Sequence, residues 1–376
     1  MCGPTGFGAG LAWAAGGMQP TMQRQPIESQ RGEVEFRKKL YLQQVEGKRV
    51  LDDEFDATGI ERILQDRMKK TLDQMTALRQ SGVALSPYVE IGAERCQRSL
   101  VMENDLGANG AAVDISYDLL RSGNHYGELF SRPRCPVRIC CDANNLPFES
   151  SSIPFVFCYQ TLHHFPDPAP ILKEIDRVLL PAGSFFFDEE PYKKILHVNL
   201  YSGGRAYSER SLRRSTLRRA LDRFFCRERS NEVEHGIIEN DRISLRSWKR
   251  ALAHFDEKDI ELKPTNRFPV LKSKLFHPSS YLRHFAAYLL GGDIGGLARK
   301  RGSDAGRNSY SIYDALICPS CRETAGAEVR LSQGARVFLC PKCSKAYPVV
   351  DEVLFLFTYD KFRELYPEVL DSIQRS

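Results

Sequence analysis

Several features are missing from this sequence, and each absence narrows what the chain can be. No run of about 18 apolar residues exists, so no segment is long enough to span a bilayer as a helix. The apolar opening MCGPTGFGAGLAWAAGG lacks the basic n-region of a secretory signal. It reads as a floppy extension, or as sequence upstream of a start at Met18 or Met22. No internal repeat is visible, and no serine or cysteine triad signature is present. The net charge of +5 on 376 residues is too small to imply nucleic acid by itself. The glycines of a G-x-G-x-x-G turn are also absent after the first strand candidate. There the chain runs Glu90-Ile91-Gly92-Ala93-Glu94-Arg95-Cys96-Gln97. A pyrophosphate must sit against bare backbone at a helix N-terminus, and Glu94 would repel it, so a nicotinamide dinucleotide is disfavoured.

The residues that are present are ordinary in bulk and specific in detail. A hydrophobic share of 42% and a charged share of 27% suit a globular protein, and the length allows two domains. Residues 1–30, rich in Gly, Gln and Pro, read as a disordered extension. Residues 31–86 read as a helical lead-in that caps the next domain, with apolar positions such as Phe36, Leu40, Leu64, Met68 and Met75. From Pro87 to Glu190, short apolar runs alternate with helical ones. Strand candidates are Tyr88–Ile91, Ala111–Ile115, Val137–Cys141, Phe155–Tyr159 and Ser184–Asp188. Between them lie helix candidates Arg95–Leu106, Tyr117–Ser122 and Ala169–Leu180. This rhythm predicts right-handed crossovers and an α/β fold: a Rossmann-like, doubly wound, mostly parallel sheet with helices on both faces. Beyond it, Ser244–Phe255 reads as a helix, Asp259–Leu262 as a strand, and the Gly- and Arg-rich stretch 291–307 as a linker or mobile edge.

Ligands of open parallel sheets bind at the carboxyl ends of the strands, so the residues there are the candidate site. Gly92 permits the sharp turn and close backbone approach after strand one. Asp114, 22 positions on, can accept hydrogen bonds from both hydroxyls of a ribose, with Ile115 beside it. Asp142 ends strand three and can accept from an adenine amino group. The fourth strand leads into Gln160-Thr161-Leu162-His163-His164. A cofactor with ribose and adenine but no phosphate suits this set better than a dinucleotide. Each residue also has a plainer explanation, since any α/β protein carries glycines and acids at its strand ends.

The stretch DANNLPFESSSIPFVFCYQTLHHFPDPAPILKEIDRVLLPAGSFFF resembles the class I S-adenosylmethionine-dependent methyltransferases, in particular those related to the ubiquinone and menaquinone methyltransferases. The resemblance covers residues 87–190 and, more loosely, 244–265. It implies a bound S-adenosylmethionine, with Gly92 and Ala93 at the methionine part, Asp114 at the ribose and Asp142 and Ala143 at the adenine, and with Glu90 and Ile115 also among the cofactor-binding residues. Gln160 and Thr161 would line the methionine side. Glu94 stands where that family usually has its second glycine. His163 and His164 fall near the reactive methyl, where imidazole could take a proton, or they pack under the following loop. Glu190, in the run Asp188-Glu189-Glu190, either faces the acceptor pocket or simply ends a strand.

Eleven cysteines are present, and four form two C-x-x-C pairs, Cys318/Cys321 and Cys340/Cys343, eighteen residues apart. This spacing can set four thiolates tetrahedrally around one structural Zn²⁺ in a reducing cytoplasm, leaving no open position for catalysis. A module this small would draw its folding free energy from the metal. The following Lys345-Ala346-Tyr347-Pro348-Val349-Val350-Asp351 resembles the zinc ribbon of the small activator subunit that partners tRNA and translation-factor methyltransferases. That family continues Asp-Gly-Ile-Pro, whereas this chain has Asp351-Glu352-Val353-Leu354. The resemblance implies a fused partner module, a β-rich ribbon over 308–376 docked on a methyltransferase domain over 87–307. Within that domain, a basic helical insertion at about 191–243 carries nine arginines between Gly204 and Ser230 against three acids. It is either a solvated surface helix or a lid that attracts an anionic acceptor, RNA included. Two functions remain open: methyl transfer to a small molecule, lipid or sugar, and a non-catalytic scaffold binding RNA or a protein through the basic helix and ribbon.

Overall fold

The computed structural model describes residues 26–46, 57–193, 236–238, 240, 243–264, 273–277, 284–285, 292–303, 311–334 and 336–374. The expected basic helix at 208–225 lies outside the described residues. Strands β1 (Tyr88–Ile91), β2 (Gly110–Asp114), β3 (Val137–Cys141), β4 (Ile153–Tyr159) and β5 (Leu179–Pro191) form the parallel heart of one sheet. Their apolar runs are buried on both faces, as strands covered by crossover helices must be. Helix α6 (Pro168–Val178) shows the local logic. The Asp167 side chain accepts from the Ala169 N–H at 3.0 Å and Pro168 opens the first turn, a strong start signal. Ile171, Leu172, Ile175 and Val178 are then fully buried on one stripe, each contributing about 2 kcal/mol.

Beyond β5 the sheet turns antiparallel. β8 (Gly292–Arg299) lies between β5 and β6 (Glu257–Pro264), and β7 (Ser273–Lys274) forms that edge. The glycine-rich stretch read as a linker is therefore an interior strand. Its glycines serve close approach rather than mobility. A Cβ on Gly296 would fall 2.1 Å from Asp259 O, and one on Gly295 would fall 2.3 Å from Asp188 Oδ1.

The first helix, α1 (Ile27–Val45), begins inside the stretch expected to be disordered. Its Val34, Phe36 and Leu40 are buried, and that burial outweighs the polar composition of the segment. A second helix, α2 (Ala57–Gln80), precedes β1.

At the opposite edge the C-terminal region continues the sheet rather than standing apart from it. β12 (Val353–Leu356) pairs parallel with β3, from Val353 opposite Arg138 to Leu356 opposite Cys141. Then β11 (Ala346–Val350), β10 (Val337–Leu339) and β9 (Ser332–Gln333) extend the row antiparallel, giving a 12-stranded order β7-β6-β8-β5-β4-β1-β2-β3-β12-β11-β10-β9 among the described residues. Because β12 runs parallel to β3, the chain leaving it emerges at the same edge as the ends of β1 to β4. The two last helices, Tyr359–Leu365 and Pro367–Gln374, consequently pack beside the strand ends. There Phe355, Phe362 and Tyr366 form an aromatic cluster, and the Tyr366 hydroxyl donates to Ile115 O at 2.6 Å.

Candidate cofactor site and thiolate cluster

A cavity opens at the carboxyl ends of β1 to β4, with about 680 Å³ of empty space that includes its open mouth. Of the residues singled out in the sequence, Gly92, Asp114, Ile115, Asp142, Ala143, Gln160, Thr161 and His164 line it. Gly92 has φ 71°, and a Cβ there would meet Thr161 Oγ1 at 2.3 Å. Only glycine fits that position. Thr161 is itself fixed, its hydroxyl donating to Tyr159 O at 2.9 Å.

The turn after Gly92 keeps a left-handed course without further glycines, with Glu94 at φ 46° and Cys96 at φ 62°. The Glu94 side chain is anchored by Arg67 Nη1 of α2 at 2.6 Å and by Gln97 Nε2 at 2.9 Å. Burial alone would raise its pKa, but Arg67, then Arg37, Arg95 and Arg98, outweigh that and lower it to about 2. The backbone N–H of Glu94 donates to Asp114 Oδ2 at 2.9 Å, and that of Ser116 to Asp114 Oδ1 at 2.8 Å. Burial raises the Asp114 pKa to about 6 despite these donors.

Asp142 Oδ1 accepts from Asn144 N at 2.8 Å and Asn144 Nδ2 at 2.9 Å, while Lys361 donates to Oδ2. Burial opposes ionisation here too, but Lys361 outweighs it and holds the carboxyl below its usual range.

Four of the expected residues stand away from the cavity wall. Glu90 lies beneath the helix Gln97–Asn104, where Ser99 Oγ donates to it at 2.5 Å and burial raises its pKa to about 8. Ala93 packs with Cys96 and Leu120 in the core. Glu190 is fully buried, and its oxygens accept from the backbone N–H groups of Thr161, Leu162 and His163 at 2.7, 2.9 and 3.1 Å. It also lies 3.0 Å from His163 Nδ1, so Glu190 shapes the loop after β4 and fixes His163. His164 reaches the cavity, with Nδ1 donating to Ile238 O at 3.1 Å. Asp188 is likewise internal, held by Lys263 at 2.6 Å, Gln74 at 2.7 Å and Lys70 at 2.9 Å.

Two residues that line the cavity, and one that holds the lining residue Asp142, come from outside the strand rhythm. Glu33 and Arg37 of α1 line the cavity, and Lys361 comes from the penultimate helix. Periodicity foretold α1 as a cap, and its charged i, i+4 pair was a usable signal. Nothing local marked Lys361, because only the parallel pairing of β12 brings it there.

In the ribbon, the Sγ atoms of Cys318, Cys321, Cys340 and Cys343 lie within 4.8 Å of one another, with Cys318 to Cys343 and Cys321 to Cys340 both at 3.6 Å. A tetrahedral tetrathiolate with Zn–S near 2.3 Å has S···S edges of about 3.8 Å, so the donor set fits Zn²⁺. The N–H groups of Cys321 and Cys343 point at Cys318 Sγ and Cys340 Sγ at 3.4 and 3.5 Å, which favours thiolates. Arg322 ties the module to Glu174 of α6 at 2.6 Å.

Residues 89–187 match a family described as a methyltransferase domain. The chain is 27% identical over 112 residues to a Caenorhabditis elegans protein, sterol 4-C-methyltransferase strm-1, spanning 26% of this chain and 33% of that protein. It is also 27% identical over 134 residues to a ubiquinone biosynthesis O-methyltransferase of Xanthomonas oryzae, spanning 35% of this chain and 54% of that one. The match thus spans only about a third to a half of the length of these curated relatives. Among solved structures, a chain of the complex between the Haloferax volcanii Trm112 methyltransferase activator and a methyltransferase aligns with TM-score 0.39 and 15% identity, over 65% of this chain and 96% of that chain. The stretch that matches a methyltransferase domain is thus an α/β unit with a mostly parallel sheet, joined through that sheet to a ribbon with a four-cysteine cluster. No helix among the described residues is long and apolar enough to cross a membrane.

Proposed function

We propose that the protein is an S-adenosylmethionine-dependent methyltransferase with a fused zinc ribbon, acting on an acceptor of unidentified class, such as a small molecule, lipid or sugar. The reading is carried by the convergence of Gly92, Asp114 and Asp142 on one cavity within the stretch that matches a methyltransferase domain. In this reading residues 87–307 form the catalytic domain and 308–376 the ribbon. Zn²⁺ held by four thiolates is structural.

S-adenosylmethionine supplies a methyl group on a sulfonium, already activated for in-line displacement. The chain has to bind, orient and exclude water. Asp114 accepts from the ribose hydroxyls and Asp142 from the adenine amino group. Gly92 gives the methionine part room against the backbone, with Gln160 and Thr161 opposite. His164, at the cavity wall, is the imidazole that would take a proton when the acceptor is an alcohol. Glu190 acts indirectly, holding the loop that carries Thr161 and both histidines.

Calorimetric titration of the zinc-replete protein with S-adenosylmethionine and S-adenosylhomocysteine should give micromolar binding of both. Absence of binding by folded, metal-loaded protein would sink the proposal and leave the non-catalytic scaffold. The pH profile adds a sharper check. Ribose hydroxyls donate to the ionised Asp114 carboxylate, whose pKa is about 6 in the free protein. Affinity should therefore be nearly full above about pH 7, about half at pH 6, and fall toward tenfold per unit below that. Asp114→Asn should bind roughly tenfold more weakly at pH 7.5, from lost charge-assisted hydrogen bonds, and should lose that acid decline. An unaltered decline in Asp114→Asn would assign it to another group.

A further inference from the structure

Lys361 lies far outside the methyltransferase-domain match, yet it sits on the acid at the end of β3. Asp142 is almost completely buried, at 4% exposure, and the Lys361 side chain is 25% exposed. Each carboxylate oxygen offers two lone-pair sites. Both sites of Asp142 Oδ1 are filled by Asn144, through its N–H and its side-chain amide. Oδ2 has one site filled by Lys361 and one to spare. The Lys361 ammonium carries three N–H donors, one of them committed to Asp142. Beside the cavity wall, which Asp142 lines, an acceptor and a donor thus stand side by side: Asp142 Oδ2 and the Lys361 ammonium bonded to it.

That arrangement is complementary to one edge of a purine. Adenine presents an amino donor at C6 next to a ring-nitrogen acceptor, whereas a 6-keto purine presents an acceptor in place of the donor. Resting on the cofactor reading above, we infer that Asp142 and Lys361 read the adenine edge together. Asp142 Oδ2 accepts from the 6-amino group and Lys361 donates to the ring nitrogen beside it. Lys361 is thus a specificity-determining residue contributed by the C-terminal region. The ion pair exists before the ligand arrives, so little reorganisation is needed on binding. In a site largely out of water each of these hydrogen bonds is strengthened. The parallel register of β12 on β3 is what delivers the lysine, since it turns the chain after Leu356 toward Asp142.

The test is calorimetry on the full-length, zinc-loaded protein and its Lys361→Met variant. The ligands are S-adenosylhomocysteine, its 1-deaza and 7-deaza analogues, and the 6-keto analogue S-inosylhomocysteine. The wild type should bind S-adenosylhomocysteine, reject the 6-keto analogue, and lose about tenfold in affinity with at least one deaza analogue, the cost of an unpaired buried donor. Lys361→Met should bind S-adenosylhomocysteine about tenfold more weakly, and that deaza penalty should vanish. A mere loss of stability would not erase a preference between analogues. The inference is overturned if the wild type treats both deaza analogues like the parent, if Lys361→Met keeps the full penalty, or if the variant binds more tightly. Failure of the wild type to bind S-adenosylhomocysteine at all would instead overturn the cofactor reading beneath it.

Discussion

Two glutamates, Glu94 after β1 and Glu352 before β12, occupy positions where the families this chain resembles carry glycine. Both keep the left-handed backbone that glycine favours, at φ 46° and 61°, and a side chain held there costs on the order of 1 kcal/mol. Each also has an arginine from a distant element: Arg67 for Glu94 and Arg138 for Glu352. The pairs differ in which partner is buried. At the cavity, Arg67 and Glu94 are comparably accessible, at 27% and 30%. At the ribbon, Arg138 is 2% exposed while Glu352 is 72% exposed. Among the described residues, the other hydrogen bonds of Arg138 are long ones to Leu120 O and Arg121 O, at 3.4 and 3.5 Å. A left-handed turn can thus survive loss of its glycine when a distant ion pair offsets the strain. What that ion pair is worth depends on the more buried charge.

The largest contrast between these turns should come from the metal. The Glu352 turn hangs on a ribbon whose four cysteines, with Zn²⁺ bound as proposed, would contribute folding free energy on the order of 10 kcal/mol, whereas the Glu94 turn rests on the central sheet. Chelation, or Cys340→Ser, should speed hydrogen exchange of the amides between β12 and β3 by several orders of magnitude. The amides between β1 and β2 should stay protected. Equal loss at both places would mean the ribbon and the central sheet unfold as one unit, and the contrast would fail.

A smaller effect is expected for Glu352→Gly. Relief of backbone strain gives back about 1 kcal/mol. The buried Arg138 loses its carboxylate, however, and an uncompensated buried charge costs about 3 kcal/mol or more. With a discount for the exposure of Glu352, the net should be a destabilisation of about 1–2 kcal/mol in denaturant unfolding. Adding Arg138→Met should recover most of it, since the charge is then gone from both sides. If the single variant is as stable as the wild type, Arg138 is satisfied by the two carbonyls alone.

How much of the fold and the site was legible in the sequence obeys the same division between local and distant causes. Val137–Cys141 and the four cysteines could be read directly, because a buried apolar run and a C-x-x-C pair carry their reasons within a few residues. The acids at the strand ends were legible as well, because the end of a strand fixes where its next side chain goes. Glu90 and Glu190 were not distinguishable from such acids by type or spacing. Burial decides between them: Glu90 faces Ser99 under a helix, and Glu190 collects the N–H groups of a loop. Stretch 292–299 was misread because glycine signals flexibility in isolation and close packing in a sheet. Lys361 could not be found locally at all, since its position depends on a strand pairing more than two hundred residues away in sequence.

The smallest expected effect, and the one that most sharpens the comparison, belongs to Glu94→Gly. It relieves the same strain, about 1 kcal/mol, and removes a partly exposed pair worth about 0.5–1 kcal/mol. The two nearly cancel, so stability should stay within about 0.5 kcal/mol of the wild type, against the clear loss expected for Glu352→Gly. The backbone N–H at position 94 survives the change, so its hydrogen bond to Asp114, and with it the orientation of the Asp114 carboxylate, should survive. Affinity for S-adenosylhomocysteine should then move by no more than about threefold. A much larger loss, with stability unchanged, would give the Glu94 carboxylate a task of its own at the cavity. The ligand's ammonium group is the natural partner, because Glu94 is held ionised by the arginines around it and lines the cavity wall. In that event the two glutamates would differ in kind rather than degree: Glu352 fastening a ribbon to a sheet edge, and Glu94 exchanging a glycine's freedom for a charge at the ligand.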